Sequence, residues 1–208
     1  LAFYVRETSI LIEMDLEAFI LAFNKPGSII LLEGKRVVLP DDSKKLVQLG
    51  KLLAQRLPLV QFRSGNAQGA DECFAQGVIT VDSCRFHVII PDSKHRQRSL
   101  HGITYYSLDD IPLASDHPII YEARKHKPTS QLVDLYLKGF RDRTTHRIAP
   151  IIRDAVKVLG TEIIPSATVG FFYDDLSNPM SGGTGFTMLT CTNAQVPCYD
   201  QTVWFNWL

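Results

Sequence analysis

Charge of one sign is what this sequence lacks: its 22 Lys and Arg are matched by 22 Asp and Glu, for a formal net charge of zero. A protein that grips long nucleic acid through many phosphates carries a basic excess, so the balance argues against nucleic acid as a partner and leaves room only for a local basic patch. Cysteine is scarce. Cys73, Cys84, Cys191 and Cys198 form no CxxC spacing, which speaks against zinc and assigns no metal site. Each reads as a small buried apolar residue, and a reducing cytoplasm is the expected location. Uninterrupted apolar runs of membrane-spanning length are missing as well. The stretch 1–23 is rich in Leu, Ile and Phe but broken by Arg6, Glu7, Glu13, Asp15 and Glu17, so it is neither a span nor a good secretory leader. The first residue is not methionine; either Met14 is the start or the residues before it are native. Nor is there a glycine loop with the GK[ST] ending, which disfavours P-loop kinase and ATPase chemistry.

What is present is an alternation of short apolar runs with helix-periodic segments. Residues 28–32, 59–63, 85–90 and 168–173 read as strands, with a last short one at 196–199. Between them, Leu46, Leu49, Leu53 and Leu57 share one face of a helix expected over 43–57, and further helices are expected over 70–78 and 188–194. Leu16, Phe19, Ile20 and Phe23 give a short amino-terminal helix that ends at Lys25-Pro26-Gly27. Strands alternating with helices imply right-handed βαβ units, hence an α/β fold of three layers around a parallel sheet, in one domain over 1–208. Residues 116–160 are longer than one crossover requires. They form a helical insertion between the third and fourth main strands, which either packs on one face or makes a subunit contact. His117, His126 and His146 within it lack metal-ligand spacing and read as surface or capping residues. The segment 91–112 is expected to be irregular; its Lys94, His95, Arg96, Arg98 and His101 either fold over an anion or stay solvated. Tyr105 and Tyr106 supply either a stacking face for a base or packing. The tail Val203-Trp204-Phe205-Asn206-Trp207-Leu208 is too aromatic to leave in water. A homo-oligomer held by Ile148, Ile152 and Leu159 or by Trp204, Phe205 and Trp207 is expected, the competing reading being that the tail packs on its own sheet.

Two glycine turns carry the functional expectation. SGNAQGADE, residues 64–72, follows a strand and opens a helix; SGGTGFT, residues 181–187, does the same far downstream. In a parallel sheet both turns open at the carboxyl edge, and the first turn of each helix presents unpaired N–H groups and a positive dipole end. A pocket for a small phosphate-bearing ligand is therefore expected between them, with Ser64, Gly65, Asn66, Gly69 and Asp71 on one side and Ser181, Gly182, Gly183, Thr184 and Gly185 on the other. Gly34, Lys35 and Arg36 leave the first strand beside the mouth; the two cations either bind the ligand or are solvated. Asp71 and Glu72 are the candidate catalytic carboxylates. Asp71 serves equally as an acceptor for ribose hydroxyls or as a helix cap.

The stretches SGNAQGAD, VIIP and PMSGGTGFT resemble the Rossmann-like superfamily that groups DNA-processing protein A, the LOG or lysine-decarboxylase-like phosphoribohydrolases and nucleotide-sensor (SLOG-type) domains. The resemblance covers residues 28–91 and 168–200 and omits the insertion. It implies a Rossmann-like sheet and a nucleotide or nucleotide-derived ligand at the glycine turns; no further cofactor is assigned. The hydrolase branch carries PGGxGTxxE, whereas this chain has Met180 for the proline, Phe186 after the last glycine and Thr190 at the glutamate position. A cytosolic nucleotide sensor or carrier is thus the leading expectation. Hydrolysis of a nucleoside monophosphate at its N-glycosidic bond, assisted by Asp71 or Glu72, is the alternative. A single-stranded nucleic-acid binder using Lys94, Arg96 and Arg98 ranks third.

Overall fold

Five apolar runs and one unanticipated segment become the strands of a single sheet. In the computed structural model, which describes residues 14–93, 95 and 102–208, these are β1 (Ile29–Gly34), β2 (Gln61–Ser64), β3 (Phe86–Ile90), β4 (Thr104–Ser107), β5 (Val169–Tyr173) and β6 (Cys198–Asp200). All neighbours pair in parallel, in the order β4-β3-β2-β1-β5-β6. Helices lie on both faces, giving the α/β, Rossmann-like architecture expected. The segment 91–112 is not wholly irregular, since β4 adds a short edge there with Val88 beside Tyr105 and Ile89 beside Tyr106. Its polar, half-exposed sequence hid it from a search for apolar runs. Lys94, Arg96, Arg98 and His101 lie outside the described residues.

Helix α1 (Leu16–Phe23) starts where Asp15 accepts from the Ala18 amide at 2.8 Å. Helix α2 (Pro40–Arg56) begins earlier than the leucine pattern indicated. Proline suits the first helical position because its missing N–H would be unpaired there anyway, and Asp41 and Asp42 favour the positive dipole end. Helix α3 (Ala70–Ile79) follows the first glycine turn. The insertion is a chain of short pieces: α4 (His117–Arg124), α5 (Val133–Leu137) and α6 (Ala149–Leu159), joined by 3₁₀ turns. Helices α7 (Gly182–Asn193) and α8 (Gln201–Trp204) complete the chain.

Strand alternation decides what each face holds. Ile30, Leu32, Phe62, Val88 and Phe171 point to a wholly apolar layer with α2 and α3. Glycine sets the spacing of that helix pair: a Cβ on Gly50 would lie 2.3 Å from the Phe74 carbonyl oxygen, and one on Gly77 2.1 Å from that of Val47. The other face mixes apolar Leu31, Ile89 and Phe172 with buried Glu33, Arg63 and His87, and is covered by α6 and α7. The insertion is therefore part of the core on this face.

The tail packs on its own chain. Trp204 is fully buried and donates to the Phe172 carbonyl at 3.2 Å; Trp207 donates to the Met14 carbonyl at 3.1 Å and lies 5.3 Å from the Phe19 ring. Ile148 and Ile152 are buried too. Ile148, Ile152 and Trp204, three of the residues expected to hold an oligomer, are thus inside the fold, while Leu159, Phe205 and Trp207 are half-buried against the core. Cys84 is exposed rather than buried, while Cys191 is buried and Cys73 and Cys198 are partly so. No helix among the described residues is long and apolar enough to cross a membrane.

Since the helix pair α2–α3 meets at backbone distance, Gly77→Ala is expected to lower unfolding free energy by about 2 kcal/mol through overpacking. Denaturant titration checks this; an unchanged midpoint would show that the pair separates freely.

Candidate functional site

A cleft of about 1010 Å³ opens at the carboxyl ends of β1 and β5. These central strands are neighbours from which the chain winds outward in opposite directions, the switch point at which open α/β sheets hold ligands. Gly34, Lys35 and Arg36 leave β1 into it, and Tyr173 and Asp174 leave β5. A Cβ on Gly34 would stand 2.4 Å from the Tyr173 carbonyl oxygen, so glycine is what lets the two strand exits meet.

The first glycine turn is filled by the protein's own carboxylate. Asp71, 3% exposed, accepts from the Gly34 amide at 3.2 Å through Oδ1. Its Oδ2 accepts from the Ser64 hydroxyl at 3.0 Å and from the amides of Gly65 at 3.2 Å and Ala67 at 3.3 Å. The N–H groups that would cradle a phosphate here already hold an anion. Gly69, at φ 90°, packs against the Arg36 backbone, and Asn66, at φ 56°, turns the loop. Glu72 does not line the cleft. Asp71 is therefore a clamp between the β1 and β2 exits, its carboxylate engaged by four of the protein's own donors. Asp71→Ala is expected to cost about 3 kcal/mol or more, because several buried donors lose a charged acceptor together. Thermal and chemical denaturation measure it; a loss under about 1 kcal/mol would contradict the clamp.

The second turn is open. Ser181 stands at the N-cap of α7, but its side chain does not cap the helix. Its Oγ accepts instead from Lys35 Nζ at 2.5 Å, and its carbonyl accepts from the same ammonium at 3.1 Å. The first helical bond, Gly185 N–H to the Ser181 carbonyl at 3.1 Å, leaves the Gly182, Gly183 and Thr184 amides at the positive helix end. All three residues line the cleft. Gly182 has φ 64° and open space beyond it, whereas Gly185 is structural, since a Cβ there would meet the Met180 carbonyl at 1.8 Å. Asp174 holds the loop by accepting from the Met180 amide at 2.7 Å and lies 3.7 Å from Lys35. Arg36 is exposed at the rim beside Val37 and Leu39.

The cleft floor comes from residues that composition and spacing did not single out. Helix α6 supplies Arg153, Asp154 and Lys157, and β1 supplies Glu33. Lys157 Nζ, almost fully buried, is ion-paired with Glu33 and lies 2.7 Å from Asp154 Oδ1. Arg153 reaches Asp154 Oδ1 at 2.9 Å and the Gly65 carbonyl at 2.9 Å, tying α6 to the first glycine turn. Burial pushes the Glu33 carboxyl up to about 7 against the pull of Lys157, with the negative Asp71 and Asp154 adding to the rise. For Asp154 burial acts upward too, but Lys157 and Arg153 together outweigh it and hold the group below the usual carboxylate range. His126 lines the outer wall, its Nδ1 2.7 Å from Thr129 Oγ1 and its ring edge-on to Phe186, with burial holding it below the usual imidazole range. The sequence signal was available in retrospect: charged residues interrupting strand and helix faces that are otherwise apolar.

Because Glu33 binds its proton more tightly folded than unfolded, its contribution to stability falls as pH rises from 4.5 to about 7. His87 and His126, both lowered, act in the opposite sense below 6.5 and are common to parent and variant. The stability difference between parent and Glu33→Gln, followed by denaturation at pH 4.5 to 8, is thus expected to shift against the parent with rising pH by at most about 3 kcal/mol. A pH-independent difference would show an ordinary carboxylate.

No family model and no curated protein matches this chain. Among solved structures it is similar to DNA processing protein A from Helicobacter pylori, described by its single-stranded DNA binding mode, at 15% identity over 88% of this chain and 67% of that one, with a TM-score of 0.46. That degree of likeness concerns the course of the chain, not the site residues. The expectation that disfavoured nucleic acid as a partner is corrected by this finding: the similar structure is described by its single-stranded DNA binding mode. Zero net charge is a sum over the whole chain and does not describe a rim that carries Lys35 and Arg36.

Proposed function

We propose that the cleft binds a nucleotide unit, with its phosphate at the amino terminus of α7 beside Lys35. The observation that carries this reading is the diversion of Ser181: its hydroxyl accepts from Lys35 rather than capping α7, so a lysine ammonium and uncapped first-turn amides lie side by side at the switch point. Charge-assisted hydrogen bonds contribute roughly 1.5–3 kcal/mol each, and micromolar affinity requires about 8 kcal/mol net. Several such contacts are therefore needed, and Val37, Leu39, Leu176 and Phe205 supply apolar surface for a base. A sensor or carrier role fits this arrangement better than N-glycosidic hydrolysis by Asp71 or Glu72, since one carboxylate is engaged by four of the protein's own donors and the other stands outside the cleft.

A second reading places the same nucleotide unit within a single strand of nucleic acid. The exposed rim at Arg36 and the cleft volume of about 1010 Å³ favour it by leaving room for flanking residues of a strand.

Titration calorimetry with AMP, ADP, ADP-ribose, NAD and cyclic nucleotides, alongside anisotropy of a labelled single-stranded oligonucleotide at low and high salt, tests both. Binding of a free nucleotide that weakens at least about 10-fold in Lys35→Ala supports the first reading. Strand binding with a steep salt dependence, and none of the free compounds, supports the second. If neither class binds the parent, both readings fall.

A further inference from the structure

The floor of the cleft is built to receive hydrogen-bond donors. Asp154, 3% exposed, uses one carboxylate oxygen for its contacts among the described residues: Oδ1 takes Arg153 Nε at 3.2 Å, Arg153 Nη2 at 2.9 Å and Lys157 Nζ at 2.7 Å. Its Oδ2 accepts no hydrogen bond among the described residues. That oxygen lies 3.5 Å from the point a Cβ on Gly183 would occupy, in the space in front of the α7 amino terminus. Glu33, 4% exposed, lines the same floor, with Oε1 against Lys157.

These positions constrain what can lie there. A phosphate oxygen against Asp154 Oδ2 would set like charges together in a partly dry site, where such repulsion is poorly screened. The phosphate therefore belongs on the Lys35 side of the helix end. The group facing Asp154 must instead be neutral or cationic and must donate. In a nucleotide, the sugar hydroxyls meet that requirement within a few ångströms of the phosphate. A carboxylate that holds a ribose hydroxyl is a recurrent device beside helix-bound phosphates in parallel sheets.

We propose that Asp154 Oδ2 accepts a hydroxyl of the ligand's sugar, with Glu33 as a second acceptor on the floor, so that the cleft selects ribosyl over deoxyribosyl ligands. This rests on the nucleotide reading above and adds to it the sugar class. A site arranged to hold a hydroxyl rejects the analogue that lacks it, because the buried acceptor is then left unpaired. If the nucleotide unit belongs to a strand, the same contact distinguishes RNA from DNA.

Calorimetry with ribonucleoside 5′-monophosphates and with their 2′-deoxy and 2′,3′-dideoxy counterparts provides the test. The parent is expected to prefer the ribose forms by about 10-fold or more. Asp154→Asn is expected to reduce that preference. Because Asp154 also pairs with Arg153 and Lys157, a variant that leaves the charges intact is needed: Gly183→Ala places a methyl group at ordinary contact distance from Oδ2. It is expected to weaken ribose forms more than dideoxy forms, with circular dichroism unchanged. Equal affinity of the parent for ribose and dideoxy forms would overturn the proposal while leaving the phosphate site standing. A preference that follows the base amine, AMP over IMP, and ignores the sugar would overturn it as well. Should no monophosphate of either sugar class bind the parent, the proposal falls together with the nucleotide reading for these ligands.

Discussion

One buried ammonium fixes the relation between sheet and insertion. Lys157 lies between Glu33 of the central strand and Asp154 of its own helix, with about 1% of its side chain exposed. Removing ions from water costs several kcal/mol each, and their mutual attraction offsets this only when the geometry is well satisfied. Close-packed apolar faces already resist sliding, and an ion network with partners on two elements adds a directional constraint to that packing. The network extends across the interface: buried Arg63 of β2 donates to the Lys157 carbonyl at 2.9 Å, and Arg153 donates to the carbonyl of Gly65. Helix α6 is thereby held in a single register over β1 and β2, and the cleft floor is preorganised before any ligand arrives.

The same logic separates the glycine turns, which share a composition but not a chemistry. In each, the chain leaves a strand, turns on glycine and starts a helix. In the first, an aspartate one residue into the helix bends back and accepts from the turn's own amides, so the anion is internal and the turn is closed. In the second, the residues from Gly182 to Thr187 include no acid, and the one side chain able to cap the helix is drawn away by Lys35. What differs is where the nearest carboxylate comes from. Asp71 is local and fills its turn, while Asp154 comes from the insertion and stops short of the second, leaving a gap in front of Gly183.

Much of the fold was legible because strand and helix periodicity are local properties. The apolar runs at 28–32, 59–63, 85–90 and 168–173 marked the main strands, and the leucine row from Leu46 to Leu53 marked the helix beneath them. β4 was not legible, since a polar edge strand is defined by its partner β3 rather than by its own pattern. The site divided along the same line. Lys35, Ser181, Gly182, Gly183 and Thr184, which line the cleft, were legible because each sits in a recognisable turn and reaches the cleft by chain direction alone. Glu33, Arg153, Asp154 and Lys157 were missed because their meeting depends on how the insertion packs, a contact between residues more than a hundred positions apart. The aromatic tail shows the converse: Trp204 and Trp207 were correctly marked as too apolar for water, but only the sheet's free face determines that their cover is intramolecular.

Charge balance over the whole chain is a poor guide to a site of this kind. The floor and walls of the cleft bring together Glu33, Asp71, Asp154 and Asp174 with Lys35, Arg153 and Lys157, so cations and anions are interleaved within one cavity. Their sum says little, since the field at any point is set by the nearest groups in a medium that screens weakly. Next to Lys35 and the α7 amides the potential favours an anion, and next to Asp154 Oδ2 it favours a donor. Under the proposed reading, an occupant that met both groups would be polar in two senses at fixed separation, which a simple phosphate or a simple sugar is not. Neutral composition and selective electrostatics are compatible because opposite charges held apart by a rigid helix and a rigid strand define a direction, and direction is what orients a ligand.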